Sequence, residues 1–174
     1  ICEQVEDPSK AKGIVKREVV RLITSGTFID EASSDSRYIA ALYPGKKSTG
    51  IAFVDYIEGG TIYTNTFEDT SKIVEILSKI SIYECIFPED EQEIIKDIFN
   101  SPFLKWKKIT MTSCDNWMFN IEIARKGLCE HFGTGGLAGF GIEEKEGAIR
   151  SCGGLLEYLT QVNRRAPSHI TKIS

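Results

Sequence analysis

No stretch of this 174-residue chain approaches the ~20 consecutive apolar residues that a membrane-spanning helix needs. Its first residues, Ile1 and Cys2, read as a strand already under way rather than as a charged-then-apolar leader, so a piece of a longer polypeptide is expected. The five cysteines, Cys2, Cys85, Cys114, Cys129 and Cys152, are odd in number and at least 15 positions apart. That spacing excludes a C-x-x-C metal knuckle and a disulfide ladder, leaving reduced, mostly buried thiols. The only two histidines, His131 and His169, have no cysteine or carboxylate partner at a metal-ligand spacing. A basic surplus is missing too: 21 Lys plus Arg face 25 Asp plus Glu, for a net charge of −4. A small protein that grips nucleic acid with its whole surface is thereby excluded, though local basic patches are not. Internal repeats and low-complexity tracts are lacking.

What remains is the composition of a folded globular domain, with 41% hydrophobic, 26% charged and 10% aromatic residues. A chain of this length buries about two-thirds of its unfolded surface. The first 26 residues hold five basic side chains against four acidic ones, so the acidic surplus lies downstream. Glu18–Ile23 is rich in β-branched residues and reads as a strand behind a loop marked by Asp7-Pro8 and Lys12-Gly13. Residues 27–35 are polar and without period, which places a linker there and a second unit from about residue 36.

The second unit begins with three strand candidates, 37–43, 50–57 and 61–67, the last two joined by a Glu58-Gly59-Gly60 turn. Helical spacing follows at Ile73, Ile76, Leu77 and Ile80, then a short apolar run from Tyr83 to Phe87, then an amphipathic helix carrying Ile94, Ile95, Ile98 and Phe99. A further strand is expected over Lys105–Met111 and a helix over Trp117–Phe132 whose apolar stripe uses Ile123 or Ala124. The last helix spans about 144–164. Its Ala148, Ser151, Gly153 and Gly154 would admit another backbone closely, and Pro167 stops it before a strand-like tail at Ile170–Ile173. Strands followed by alternating helices and strands predict an α/β fold, a mixed sheet with helices on both faces, compatible with a ribonuclease H-like arrangement.

Five patterns invite chemistry. Pro44-Gly45-Lys46-Lys47-Ser48-Thr49 resembles the end of a phosphate loop, but Ala40 stands where its first glycine is required, so a basic hairpin turn is expected. Gly133-Thr134-Gly135-Gly136-Leu137-Ala138 fits G-x-G-x-x-A, yet a helix precedes it where a dinucleotide site needs a strand, and the glycines are expected to end that helix. Asp55, on a strand before a hairpin, sits where a ribonuclease H-type nuclease keeps its first metal-binding carboxylate. Two-metal hydrolysis needs more acids at the same spot, for which Glu84 and Asp115 are the candidates. No Ser or Cys has a His partner in sequence. Finally, Lys16, Arg17 and Arg21, with Lys10 and Lys12 in the loop before them, form either a strip of phosphate contacts or a solvated strand edge. Phe103-Leu104-Lys105-Trp106-Lys107-Lys108 interleaves aromatics with bases, and core packing on one face with solvent on the other is expected of it.

The opening Ile1–Pro8, the run Lys12–Thr24 and Gly26-Thr27 resemble the MutS family of bacterial DNA mismatch-repair proteins. So do, in the expected order, Tyr38–Leu42, Gly50–Asp55 with Gly59-Gly60, Phe132–Thr134 with Leu137–Gly141, Gly153–Leu159 and the Pro167–Ile170 exit. Ser25 departs from the proline usual before Gly-Thr. The resemblance implies that residues 1–26 end the mismatch-binding domain, 27–35 link it onward, 36–165 form a ribonuclease H-like connector domain without nuclease activity, and 166–174 enter the lever region. It also implies a cytoplasmic, homodimeric parent that binds mismatched double-stranded DNA. The parent's ATPase domain, with its ATP and Mg²⁺, lies outside this chain, which itself holds no metal or cofactor and is no enzyme. By the same resemblance Lys16, Arg17 and Arg21 are DNA-backbone contacts, the connector couples the mismatch-binding domain to the ATPase core, and the partner MutL docks on it. Glu157, Thr160, Asn163 and Arg164, taken as exposed on the last helix, are the candidate partner face. A metal-dependent nuclease using Asp55 is the alternative.

Overall fold

The computed structural model describes residues 38–56 and 59–174, together with the backbone of Cys2–Gln4 and Arg17–Val19. These last two segments, β1 (Cys2–Gln4) and β2 (Arg17–Val19), pair antiparallel with Cys2 opposite Val19 and Gln4 opposite Arg17.

Strands β3 (Tyr38–Pro44), β4 (Thr49–Asp55) and β5 (Thr61–Phe67) form an antiparallel meander. Helix α1 (Thr70–Lys79) carries the chain to β6 (Ile82–Pro88), which lies parallel to β3 on its other side. Helix α2 (Gln92–Phe99) then leads to β7 (Thr110–Cys114), parallel to β6. The order is β7-β6-β3-β4-β5, extended at the far edge by β8 (Lys172–Ile173), which runs parallel to β5. This is the expected mixed α/β sheet, in ribonuclease H-like order.

Both faces of the sheet are covered, and the central strand is apolar on both sides for that reason. Ala40 and Leu42 of β3 join Ile73 and Leu77 of α1 and Ile95 and Ile98 of α2 in one core. The alternate residues Ile39 and Ala41 join a second core with α3 (Ile121–Phe132) and α4 (Glu146–Asn163). Twelve of the 18 residues of α4 are buried, because it lies between the sheet and α3.

The ends of α1 and α3 are chemically specified. Asp69 caps α1 by accepting from the Ser71 N–H at 2.8 Å, and Asn120 caps α3 by accepting from the Glu122 and Ile123 N–H groups. Gly133 closes α3 in the left-handed conformation (φ 63°), with the Thr134 N–H donating to the Cys129 carbonyl at 3.0 Å. The glycines after Phe132 thus terminate a helix, as expected.

Two expectations shift. The predicted strand Lys105–Met111 begins only at Thr110, because residues 101–107 fold into successive turns around buried Leu104. There Lys107 donates through Nζ to the Leu77 and Ile80 carbonyls, both at 2.8 Å, satisfying the C-terminus of α1. The expected core face is thereby reduced to Leu104, and Phe103 and Trp106 are both exposed. The predicted helix Trp117–Phe132 is divided at Asn120 into a 3-10 turn (Asn116–Phe119) and α3, since the cap side chain competes for the backbone.

Helix α4 reaches the sheet through a glycine pair: a Cβ added at Gly50 would lie 1.9 Å from the Gly147 carbonyl oxygen. Backbone atoms cannot yield as a flexible side chain can, so Gly50→Ala forces α4 off the sheet. Urea unfolding should show Gly50→Ala to be destabilised by about 3 kcal/mol, whereas Gly127→Ala, with open space around it, should be neutral or stabilising by up to ~1 kcal/mol. Equal stability of Gly50→Ala and the parent chain would contradict this packing.

Candidate functional site

The nuclease reading depends on Asp55 and Glu84 converging, and the pleat separates them. Side chains alternate faces along a strand. Asp55 pairs with Tyr38 and shares a face with Phe53, on the α1/α2 side. Glu84 stands beside Ile39 on the α3/α4 side, fully buried. Its Oε1 accepts from the Thr112 hydroxyl at 2.6 Å and the Tyr158 hydroxyl at 2.9 Å, so this acid ties β6 to β7 and α4. Asp115 is exposed beyond the far end of β7 and accepts from Trp117 Nε1 at 3.2 Å. Among the described residues no group of three His, Cys, Asp or Glu side chains is placed to hold a metal ion.

Nucleotide sites fit no better. Residues 45–48 form a hairpin turn in which the Gly45 N–H donates to the Ser48 carbonyl at 2.9 Å, with Pro44 opposite Thr49. The thiols of Cys85, Cys114 and Cys152 are not poised for nucleophilic attack. Burial pushes Cys85 and Cys152 upward, and burial with the nearby Glu84 and Asp115 charges pushes Cys114 up to about 12. Cys85, Cys114, Cys129 and Cys152 are all free thiols. His131 donates through Nε2 to the Ile170 carbonyl at 2.8 Å and pins the exit segment to α3.

The strand residues proposed to touch DNA lie mostly outside the described residues. Lys16 and Arg21 fall there entirely, and of Arg17 only the backbone, paired with Gln4, is described. On α4 the expected exposure is only partly met. Arg164 is exposed and ends the helix in the left-handed conformation (φ 57°). Asn163 is half-buried and accepts from the Tyr56 hydroxyl at 2.7 Å. Glu157 and Thr160 are also half-buried; Thr160 donates to the Leu156 carbonyl at 2.8 Å and Glu157 accepts from Gln161 Nε2 at 3.0 Å. The physical reason is that α4 is an interior helix with one narrow free strip.

That strip borders a groove of about 290 Å³ between α3 and α4. The helices approach closely where a Cβ on Gly153 would meet Ala124 at 2.4 Å. Met118 and Leu156 provide apolar lining, Gly127 leaves the groove open, and Glu130, Glu157 and Thr160 add polar groups. Ile123 also lines it and is 44% exposed, while Ala124 takes the buried place in the helical stripe. Sequence reading missed Ile123 and Gly127 as surface features. The available signal was an isoleucine just off the apolar stripe, one helical turn before a glycine. The α3 side is braced by Glu143, which pairs with Arg125 and accepts from the Leu137 N–H at 2.6 Å.

Comparison with known proteins is consistent along the whole chain. A family model described as MutS domain II matches residues 37–171, and one described as MutS domain I matches residues 1–32. Curated relatives named DNA mismatch repair protein MutS include that of Halothermothrix orenii, 35% identical over 100% of this chain and 19% of the relative. Those of Cytophaga hutchinsonii (32%; 100% of this chain, 20% of the relative) and Thermodesulfovibrio yellowstonii (33%; 92% and 18%) are similar. The chain spans about one fifth of the length of these relatives.

Two measurements test the site. The Leu137 N–H, followed by Arg125, holds the Glu143 carboxyl below its ordinary 4.5. A lowered folded-state value contributes stability above the unfolded value and loses it as pH falls through the folded one. The Tm advantage of the parent chain over Glu143→Gln should therefore be present at pH 7 and shrink as pH falls below 4.5. An advantage that grows on acidification would contradict this. Incubation with Mg²⁺ or Mn²⁺ and labelled DNA should give no metal-dependent cleavage; cleavage abolished by Asp55→Asn would reverse the assignment.

Proposed function

This chain belongs to the MutS family of DNA mismatch repair proteins, and from that membership we propose that it is a non-catalytic coupling piece of a longer MutS protein. In this reading residues 1–26 finish the mismatch-binding domain, 27–35 link it onward, 36–165 are the connector domain, and 166–174 begin the lever region. The parent binds mismatched DNA as a cytoplasmic homodimer. Its ATP and Mg²⁺ chemistry belongs to an ATPase domain beyond this chain, and Lys16, Arg17 and Arg21 serve as DNA-backbone contacts.

The observation that carries the reading is the attachment of the exit segment. Thr171 and Lys172 both donate to the Gly60 carbonyl, Ser174 donates to Ile62, and the Thr64 N–H donates back to Ser174. His131 adds its bond to Ile170 from α3. A displacement at the exit is thereby passed to the sheet rather than absorbed by a slack linker, which suits a rigid-body relay between domains. The buried α4 supports it, since close-packed interiors transmit strain.

The partner face is the α3/α4 groove with Glu157 and Thr160 at its edge, and Arg164 beyond it, while Asn163 holds the helix end to Tyr56. MutL is the proposed occupant. In a pull-down against MutL, Thr160→Arg and Ile123→Glu should each reduce capture at least tenfold while leaving the thermal midpoint within about 3 °C. Capture unchanged in both variants would contradict this docking face.

A further inference from the structure

The turn between α2 and β7 presents an aromatic and basic patch for which the fold itself gives no use. Phe103 and Trp106 are 66% and 70% exposed, the two most exposed large hydrophobic side chains among the described residues. Lys105 and Lys108 are exposed beside them and take no carboxylate among the described residues. No acidic residue lies between Asp97 and Asp115, although the chain as a whole carries −4. The patch is therefore a local reversal of the protein's charge, with two aromatic rings standing in it.

It is also held rigidly. Leu104 is buried at 1% exposure and anchors the turn from below, while the Leu104 and Lys105 N–H groups both donate to the Ser101 carbonyl. Lys107 is fixed by its two bonds to the C-terminal carbonyls of α1 and places its ammonium 5.7 Å from the centroid of the Trp106 ring. An indole presented this way loses little conformational freedom when a planar group stacks on it.

We infer that Trp106, with Phe103, Lys105 and Lys108, forms a binding site for single-stranded nucleic acid, in which an unpaired base stacks on the indole and the two free lysines meet adjoining phosphates. Stacking on an exposed aromatic flanked by bases is sequence-tolerant and needs no recess. A duplex keeps its base faces closed, so the site discriminates in favour of unpaired strands. An anionic membrane is the less favoured partner: such surfaces recruit clusters of four or more bases or an amphipathic helix, and here one of three lysines is spent on α1.

The test is fluorescence anisotropy of a labelled oligothymidylate of about 20 nucleotides with the whole chain at low salt. Trp106→Ala should weaken binding about fivefold or more, and Trp106→Phe should retain most of it. Lys105→Ala with Lys108→Ala should also weaken binding and reduce the slope of log K against log salt by about 0.7 for each lysine removed. Lys46→Ala with Lys47→Ala, the same charge change on a different turn, should leave it unchanged. Circular dichroism melting of each variant separates loss of the site from loss of the fold. The inference is overturned if the chain does not bind the oligonucleotide, or if folded Trp106→Ala binds as the parent does. Equal weakening by the Lys46 and Lys47 changes overturns it too. So does Trp106-dependent binding to phosphatidylserine vesicles without binding to the oligonucleotide.

Discussion

The close approach of α4 to its neighbours is the constraint on which the rest depends. Gly147 meets Gly50 backbone to backbone, Gly153 admits Ala124 of α3, and Gly154 admits the ring of Phe119. Three glycines in one helix carry a cost of roughly 1 kcal/mol each relative to alanine. Burial on two sides offsets it: α4 contributes Ile149, Cys152, Leu155 and Leu159 to a core that includes Ile39, Ala52 and Val54 of the sheet and Leu128 of α3. Were α4 displaced outward, Tyr158 would leave Glu84 and Tyr56 would leave Asn163, so the buried polar ties depend on the same spacing.

Those ties separate this sheet from a nuclease of the same strand order. A buried carboxylate needs hydrogen-bond donors, and Glu84 takes them from Thr112 and Tyr158. Its position on the α4 face, with Asp55 turned to the opposite face, leaves no converging acids for a cation pair among the described residues. Two cores clamp the one sheet from its two faces.

Much of this was legible in the residues. The meander, the Gly-terminated α3, the small residues of α4 and the basic hairpin at Gly45 each carry a local mechanism that tertiary context did not override. What was not legible depended on long-range contacts. Lys107 could be recognised as the cap of α1 only once the C-terminus of α1 lay beside it, about 30 positions away in sequence, and that capture delays β7 to Thr110. The core face expected over 103–108 shrank for the same reason: the segment turns instead of extending, and Leu104 is its one buried residue. The exposure of α4 was overestimated because amphipathic spacing does not show that a second helix covers the other side. The family resemblance reached further than periodicity did, since it followed the order of motifs across the chain and domain models match the same span.

A relay role demands that the exit segment and the sheet move as one. Amide hydrogen exchange on the intact chain tests this most directly. Thr171, Lys172 and Ser174 should be protected and lose protection together with the β5 amides, in a single cooperative step as denaturant rises. Exit-segment amides exchanging near unfolded-chain rates while β5 stays protected would show a slack tether, and the coupling account would be wrong.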